Sequence, residues 1–66
     1  MTDIERRAVD YVASVLSTAG DWQEAQHALA DHDEFGPWIV AQCDGDEMEQ
    51  VAMCQRLIGK AEEMDR

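Results

Sequence analysis

TDIE at 2–5, DWQE at 21–24 and DEME at 46–49 each place a Glu three residues after a Thr or Asp. Each has the form of a capping box. The first side chain accepts from an orphan amide of a helix start, and the Glu reaches back to another. A chain punctuated this way is constrained to begin helices at those three points. The spacing of apolar residues agrees. Ile4, Ala8, Tyr11, Val12, Val15, Leu16 and Ala19 trace one face of a helix, which Gly20 can end in a left-handed conformation. Trp22, Ala25, Ala28 and Leu29 give a second stripe that fades at Asp31. Val51, Cys54, Leu57, Ile58 and Ala61 give a third, running to about Met64 and slightly weakened by Gly59.

These signals predict a small all-α single domain with main helices over 2–19, 22–31 and 46–64. Its expected core is Ile4, Tyr11, Val12, Val15, Leu16, Trp22, Leu29, Val51 and Ile58. Between the second and third helices, DHDEFGP at 31–37 is a break, because Gly36 and Pro37 both interrupt regular structure. Residues 37–43 read as a short helix with Pro37 at its first position, or as an extended segment, since Trp, Ile and Val also suit strands. No second strand is evident to pair with, which favours the helix.

A domain of this size buries only ~60% of the surface that its unfolded chain exposes. That leaves little room for a deep catalytic pocket beside a core. The apolar fraction of 45% is nevertheless that of a chain that folds. No stretch of 18 apolar residues is present to span a membrane. The first residues, MTDIERRAVDYV, lack the pattern of a secretory signal, so Cys43 and Cys54 are expected to be free thiols.

The spacings that would carry chemistry are incomplete. Read as a calcium loop from Asp31, positions 1, 3 and 6 fit as Asp31, Asp33 and Gly36, but position 5 is Phe35 and position 12 is Gln42. Read from Asp44, position 6 is Glu49, which cannot make the required turn. His27, His32, Cys43 and Cys54 show no zinc-ligand spacing, and no cofactor or metal is expected. Cys43 has no orienting motif for nucleophilic work, and the carboxylates lack an apolar pocket to separate their pKa values. Acyl carrier proteins are similar in size and charge, but where they carry the attachment Ser this chain reads Asp21-Trp22-Gln23. The expectation is therefore no enzyme and no carrier.

What stands out is charge. The formal net charge is −10, and all of it lies between residues 8 and 55, where ten acids meet no Lys or Arg. Such a block excludes direct binding to nucleic acid phosphates or anionic lipid, which requires basic patches. It suits a basic partner instead, and the steering it provides makes association fast and salt-sensitive. The densest part, ALADHDEFGPWIVAQCDGDEMEQ, names the expected contact residues: Asp31, Asp33, Glu34, Asp44, Asp46, Glu47 and Glu49. Phe35 and Trp38 lie between them as core residues or as aromatic anchors for a partner.

That stretch, together with the size of the chain, resembles the small, strongly acidic anti-CRISPR proteins of phages and mobile elements, particularly inhibitors of type I Cascade complexes. The resemblance implies a DNA mimic acting in the cytoplasm of a host bacterial cell, where it keeps target DNA from the surveillance complex. The charge pattern by itself also admits an acidic adaptor or antitoxin-like protein that neutralises another basic protein. A small metal-binding domain using Cys43, Cys54 and the acids is a third reading.

Overall fold

The computed structural model describes residues 2–64. Four helices follow one another: α1 (Asp3–Ala19), α2 (Trp22–Asp31), α3 (Phe35–Gln42) and α4 (Glu47–Met64), and no strand occurs among the described residues. The long helices α1 and α4 pack together, α2 lies against both, and α3 rests mainly on α2 with a lighter contact to α4. The segment that could have been extended is thus helical. It begins two residues earlier than expected, at Phe35, which places Pro37 at the third helical position. The missing proline amide is harmless there too, because none of the first four amides of a helix has an intrahelical acceptor.

All three cap residues work, but none of the boxes closes. Thr2 Oγ1 accepts from the Glu5 amide at 3.3 Å, Asp21 Oδ1 accepts from Gln23 at 3.0 Å, and Asp46 Oδ1 accepts from Met48 at 3.0 Å and Glu49 at 3.3 Å. Among the described residues no Glu carboxylate returns the bond. Glu5 turns outward instead, its Oε1 accepting from Lys60 Nζ at 3.5 Å and tying α1 to α4. At the end of α1, Gly20 is left-handed (φ 69°) and its amide donates to the Leu16 carbonyl at 2.8 Å.

The core is Ala8, Val9, Val12, Ala25, Leu29, Phe35, Ile39, Met53, Cys54, Leu57, Ile58 and Ala61. Ile4, Tyr11, Val15 and Leu16 pack against it while remaining partly exposed. Two expected core residues lie outside: Trp22 is 48% exposed and Val51 is 41% exposed. Trp22 is the first residue of α2, and helical side chains lean toward the N-terminus. It therefore leans past the start of its own helix, with no preceding turn to cover. On α4 the buried stripe is Met53, Cys54, Leu57, Ile58 and Ala61, and Val51 falls at its edge, facing the side where α3 makes only light contact. On α1 the buried residues are Ala8, Val9 and Val12, so the stripe extends to Val9, which the apolar spacing above does not include, and Ala19 is exposed.

The tightest approach is between α3 and the end of α2. Gly36 is buried, and a Cβ built on it would lie 2.6 Å from the Ala30 carbonyl oxygen. That oxygen belongs to the backbone, so the clash cannot be relieved by a rotamer change. Gly36→Ala is expected to lower stability by about 1–3 kcal/mol, the usual cost of overpacking. Gly59 sits on the exposed face of α4 with nothing within 4 Å of the equivalent position. There the same substitution is expected to raise stability by about 0.5–1 kcal/mol, through reduced backbone freedom in the unfolded chain. Urea denaturation of the two variants checks both signs, and a tolerated Gly36→Ala would mean that α3 is not held against α2 in this way.

Candidate partner-binding surface

The seven acids named above fall into two groups, one at each end of α3. Asp31 closes α2, and Asp33 and Glu34 form the turn into α3; Asp44, Asp46, Glu47 and Glu49 form the turn out of it and the first turn of α4. Eight helical residues separate the groups, or about 12 Å of rise. All seven residues are exposed.

The turn into α3 is built by a residue that the usual cap preferences do not single out. His32 Nδ1 accepts from the amides of Glu34 at 3.0 Å and Phe35 at 3.2 Å. Nδ1 lies as many bonds from Cα as the Oδ1 of Asp or Asn, so an imidazole can serve where those residues normally cap. Only the neutral tautomer with its proton on Nε2 leaves Nδ1 free to accept. The ring stacks on Phe35 (centroids 4.1 Å apart, planes at 21°) and meets the Tyr11 ring edge-on at 4.8 Å. Phe35 is therefore a core residue, 4% exposed, and is not available as a surface anchor. Trp38 is half-buried against the core.

The turn out of α3 uses two left-handed residues in succession, Asp44 at φ 52° and Gly45 at φ 79°. Asp tolerates this conformation better than most residues. The Gly45 amide donates to the Val40 carbonyl at 3.1 Å, and Asp46 then caps α4. Asp46, Glu47 and Glu49 face the positive end of the α4 dipole, which offsets part of their mutual repulsion.

Sequence and space differ in one respect. The run from 8 to 55 has no Lys or Arg, yet cations from outside it reach the patch. Arg7 Nη1 donates to Glu34 Oε1 at 2.7 Å, across 27 residues of chain. Both side chains are about half exposed, so the pair adds little stability. At the other end, Arg56, Glu49 and Trp38 line a shared depression.

Between the acid groups the surface is apolar. A trough of about 660 Å³ opens where α2, α3 and α4 meet, with Ile39 and Cys54 at its floor and Ala30, Val40 and Val51 along its walls. Val40 is 46% exposed, and Met48, one turn before Val51, is 83% exposed. Burial pushes the Cys54 thiol above its ordinary pKa, with Cys43 nearby adding to the shift. A thiol held protonated is a poor nucleophile and a poor metal ligand. Among the described residues no three or more His, Cys, Asp or Glu side chains converge on a point where a metal ion would sit. No helix among them is long and apolar enough to cross a membrane.

Compared with protein-family models, curated proteins and solved structures, the chain matches none.

Two outcomes follow from this geometry. His32→Ala is expected to cost about 1–2 kcal/mol, for a lost cap and a lost aromatic contact. His32→Asn keeps an acceptor at the same reach and should recover part of that loss in urea denaturation; equal losses would show that the imidazole acts by packing alone. For the thiols, iodoacetamide under native conditions should add once, at Cys43, and twice after denaturation, as read by intact mass. Because the folded pKa of Cys54 is raised, its contribution to stability is complete below the ordinary thiol range and is lost as pH rises above it.

Proposed function

We propose that the protein is a non-enzymatic inhibitor that mimics the charge of DNA and occupies the basic DNA-binding groove of a nucleic-acid-binding complex. A type I Cascade surveillance complex is the partner that the sequence resemblance suggests, and the host bacterial cytoplasm is then the place of action. The observation that carries this reading is charge per length. The chain extends 32 Å along its longest axis and carries a net charge of −10, roughly one charge per 3.2 Å. Asp65 and Arg66, outside the described residues, cancel formally and do not alter the figure. One strand of duplex DNA carries a phosphate every ~3.4 Å. Summed over all its faces, the helical body thus carries a comparable negative charge per length.

The mode of recognition is electrostatic. A basic groove concentrates the field that draws in a phosphate backbone, and it draws in carboxylates by the same force. Among the described residues Glu34 alone of the seven acids has an ion-pair partner, Arg7. The other six are open to a partner's Lys and Arg side chains.

The test is competition for DNA. At low salt the protein should displace labelled target duplex from a purified type I Cascade complex, and less so as salt rises through the range where the Debye length falls below ~10 Å. The variant Asp33→Asn, Asp44→Asn, Glu47→Gln removes three charges while leaving the Asp46 cap in place. Asn also suits the left-handed backbone at position 44. Glu34 is left alone because replacing it would unmask Arg7. The triple variant, shown folded by circular dichroism, should need at least tenfold more protein, ~1.4 kcal/mol, to displace the same DNA. Failure of the parent to displace DNA, or a variant that matches it at low salt, overturns the reading.

A further inference from the structure

The trough between the two acid groups has no role in charge mimicry, since a phosphate track presents no apolar surface. We infer that it receives an amphipathic, basic helix of the partner protein, laid along α3 with its apolar face between Val40 and Val51. This deepens the proposed function and rests on it: the basic partner would be held by a helix as well as steered by charge.

Shape is the first support. The trough holds about 660 Å³ and is mainly apolar, with Glu47, Gln26 and Gln50 as its polar lining. Such a trough accepts side chains spaced at i, i+3, i+4 and i+7 from a docking helix. Exposure is the second. Val40 and Val51, two of the large apolar side chains left exposed among the described residues, both line this one trough.

Charge complementarity fixes the occupant. Every residue lining the trough comes from the part of the chain that lacks Lys and Arg, and acid groups flank it at both ends of α3. A second copy of this chain would bring a net charge of −10 against −10, so self-association through this face is opposed. A neutral apolar segment would leave the flanking carboxylates without partners. An apolar ridge flanked by Lys or Arg satisfies both the walls and the ends.

The experiment uses the full chain, labelled with ¹⁵N, and three synthetic peptides of equal length. The first is a Lys/Leu helix with Leu at i, i+3, i+4 and i+7; the second has the same composition with Leu scattered around the helix; the third replaces Lys by Glu in the first. The first should bind at least tenfold tighter than the second and shift the amides of Ala30, Val40 and Val51, and the third should not bind. Val40→Gln with Val51→Gln changes only exposed positions, and circular dichroism confirms its fold. This variant should lose at least tenfold in affinity for the first peptide and keep its weaker affinity for the second. Equal binding of the two basic peptides, or shifts confined to 31–34 and 44–49, overturns the inference. So do shifts that appear when the protein alone is concentrated, which would assign the face to a second copy. The DNA-displacement assay separates the two readings. If the parent displaces DNA and Val40→Gln with Val51→Gln does so equally well, charge mimicry stands and the helix site is lost. If the parent displaces no DNA while the peptide series behaves as expected, the groove-binding reading fails and the helix site stands.

Discussion

Everything that a partner could touch depends on how α3 is seated against the end of α2. The seat is a backbone contact: a Cβ on Gly36 would lie 2.6 Å from the Ala30 carbonyl oxygen. Two short helices can approach this closely only where one of them offers no side chain. The approach then fixes the turn between them. His32 accepts from the first amides of α3 and stacks on Phe35, and Phe35 enters the core beside Tyr11. A helix of two turns has little stability of its own in water. The seat, the imidazole cap and the buried Phe35 together supply what α3 lacks by itself. Because α3 leans on α2, it touches α4 only lightly, and the trough is the space left between them.

The charge places a second demand on the same elements. A net charge of −10 on a body with a radius of gyration of 10.8 Å repels itself. The fold relieves this locally. Acids collect at helix starts: Asp3 and Glu5 on α1, Glu24 on α2, Glu47 and Glu49 on α4, where the dipole favours them. Among the described residues the Lys and Arg side chains sit on α1 and the later part of α4, and two of them bridge elements, Arg7 to Glu34 and Lys60 to Glu5. Half of the described acids without an ion pair lie at the two ends of α3. No charged residue is buried among those described, so the charge is carried wholly on the outside.

Most of the architecture was legible in the sequence because caps and periodicity are local signals. Thr2, Asp21 and Asp46 each mark a helix start within one residue. What escaped was non-local. Trp22 satisfies the period of α2 but begins the helix, so it is only partly covered. Val51 satisfies the period of α4 but faces the side that α3 leaves open. Val9 is buried because α2 and α4 both flank α1, which widens the buried face beyond a single stripe. The start of α3 was misplaced by two residues because a capping His is not a usual start signal. Of the candidate surface, the acids and their exposure could be read directly. The pairing of Glu34 with Arg7 and the trough between the acid groups could not, since both depend on which helices meet.

The division of the surface into charged ends and an apolar middle has a kinetic sense. Charges at the rim of an interface act mainly on encounter: they raise the association rate and weaken with salt. Apolar contacts at the centre act mainly on dissociation, where most differences in affinity between related complexes arise. A protein with only the acid groups would meet basic partners quickly and leave them quickly, with little choice among them. One with only the trough would bind slowly and at low selectivity for charge. On this chain the trough sits between the acid groups, and the seat of Gly36 on α2 holds the three in a fixed relation. In the binding mode proposed above, steering and retention would then act on the same partner surface. The spacing between them is set by the length of α3, about 12 Å, rather than by any flexible linker.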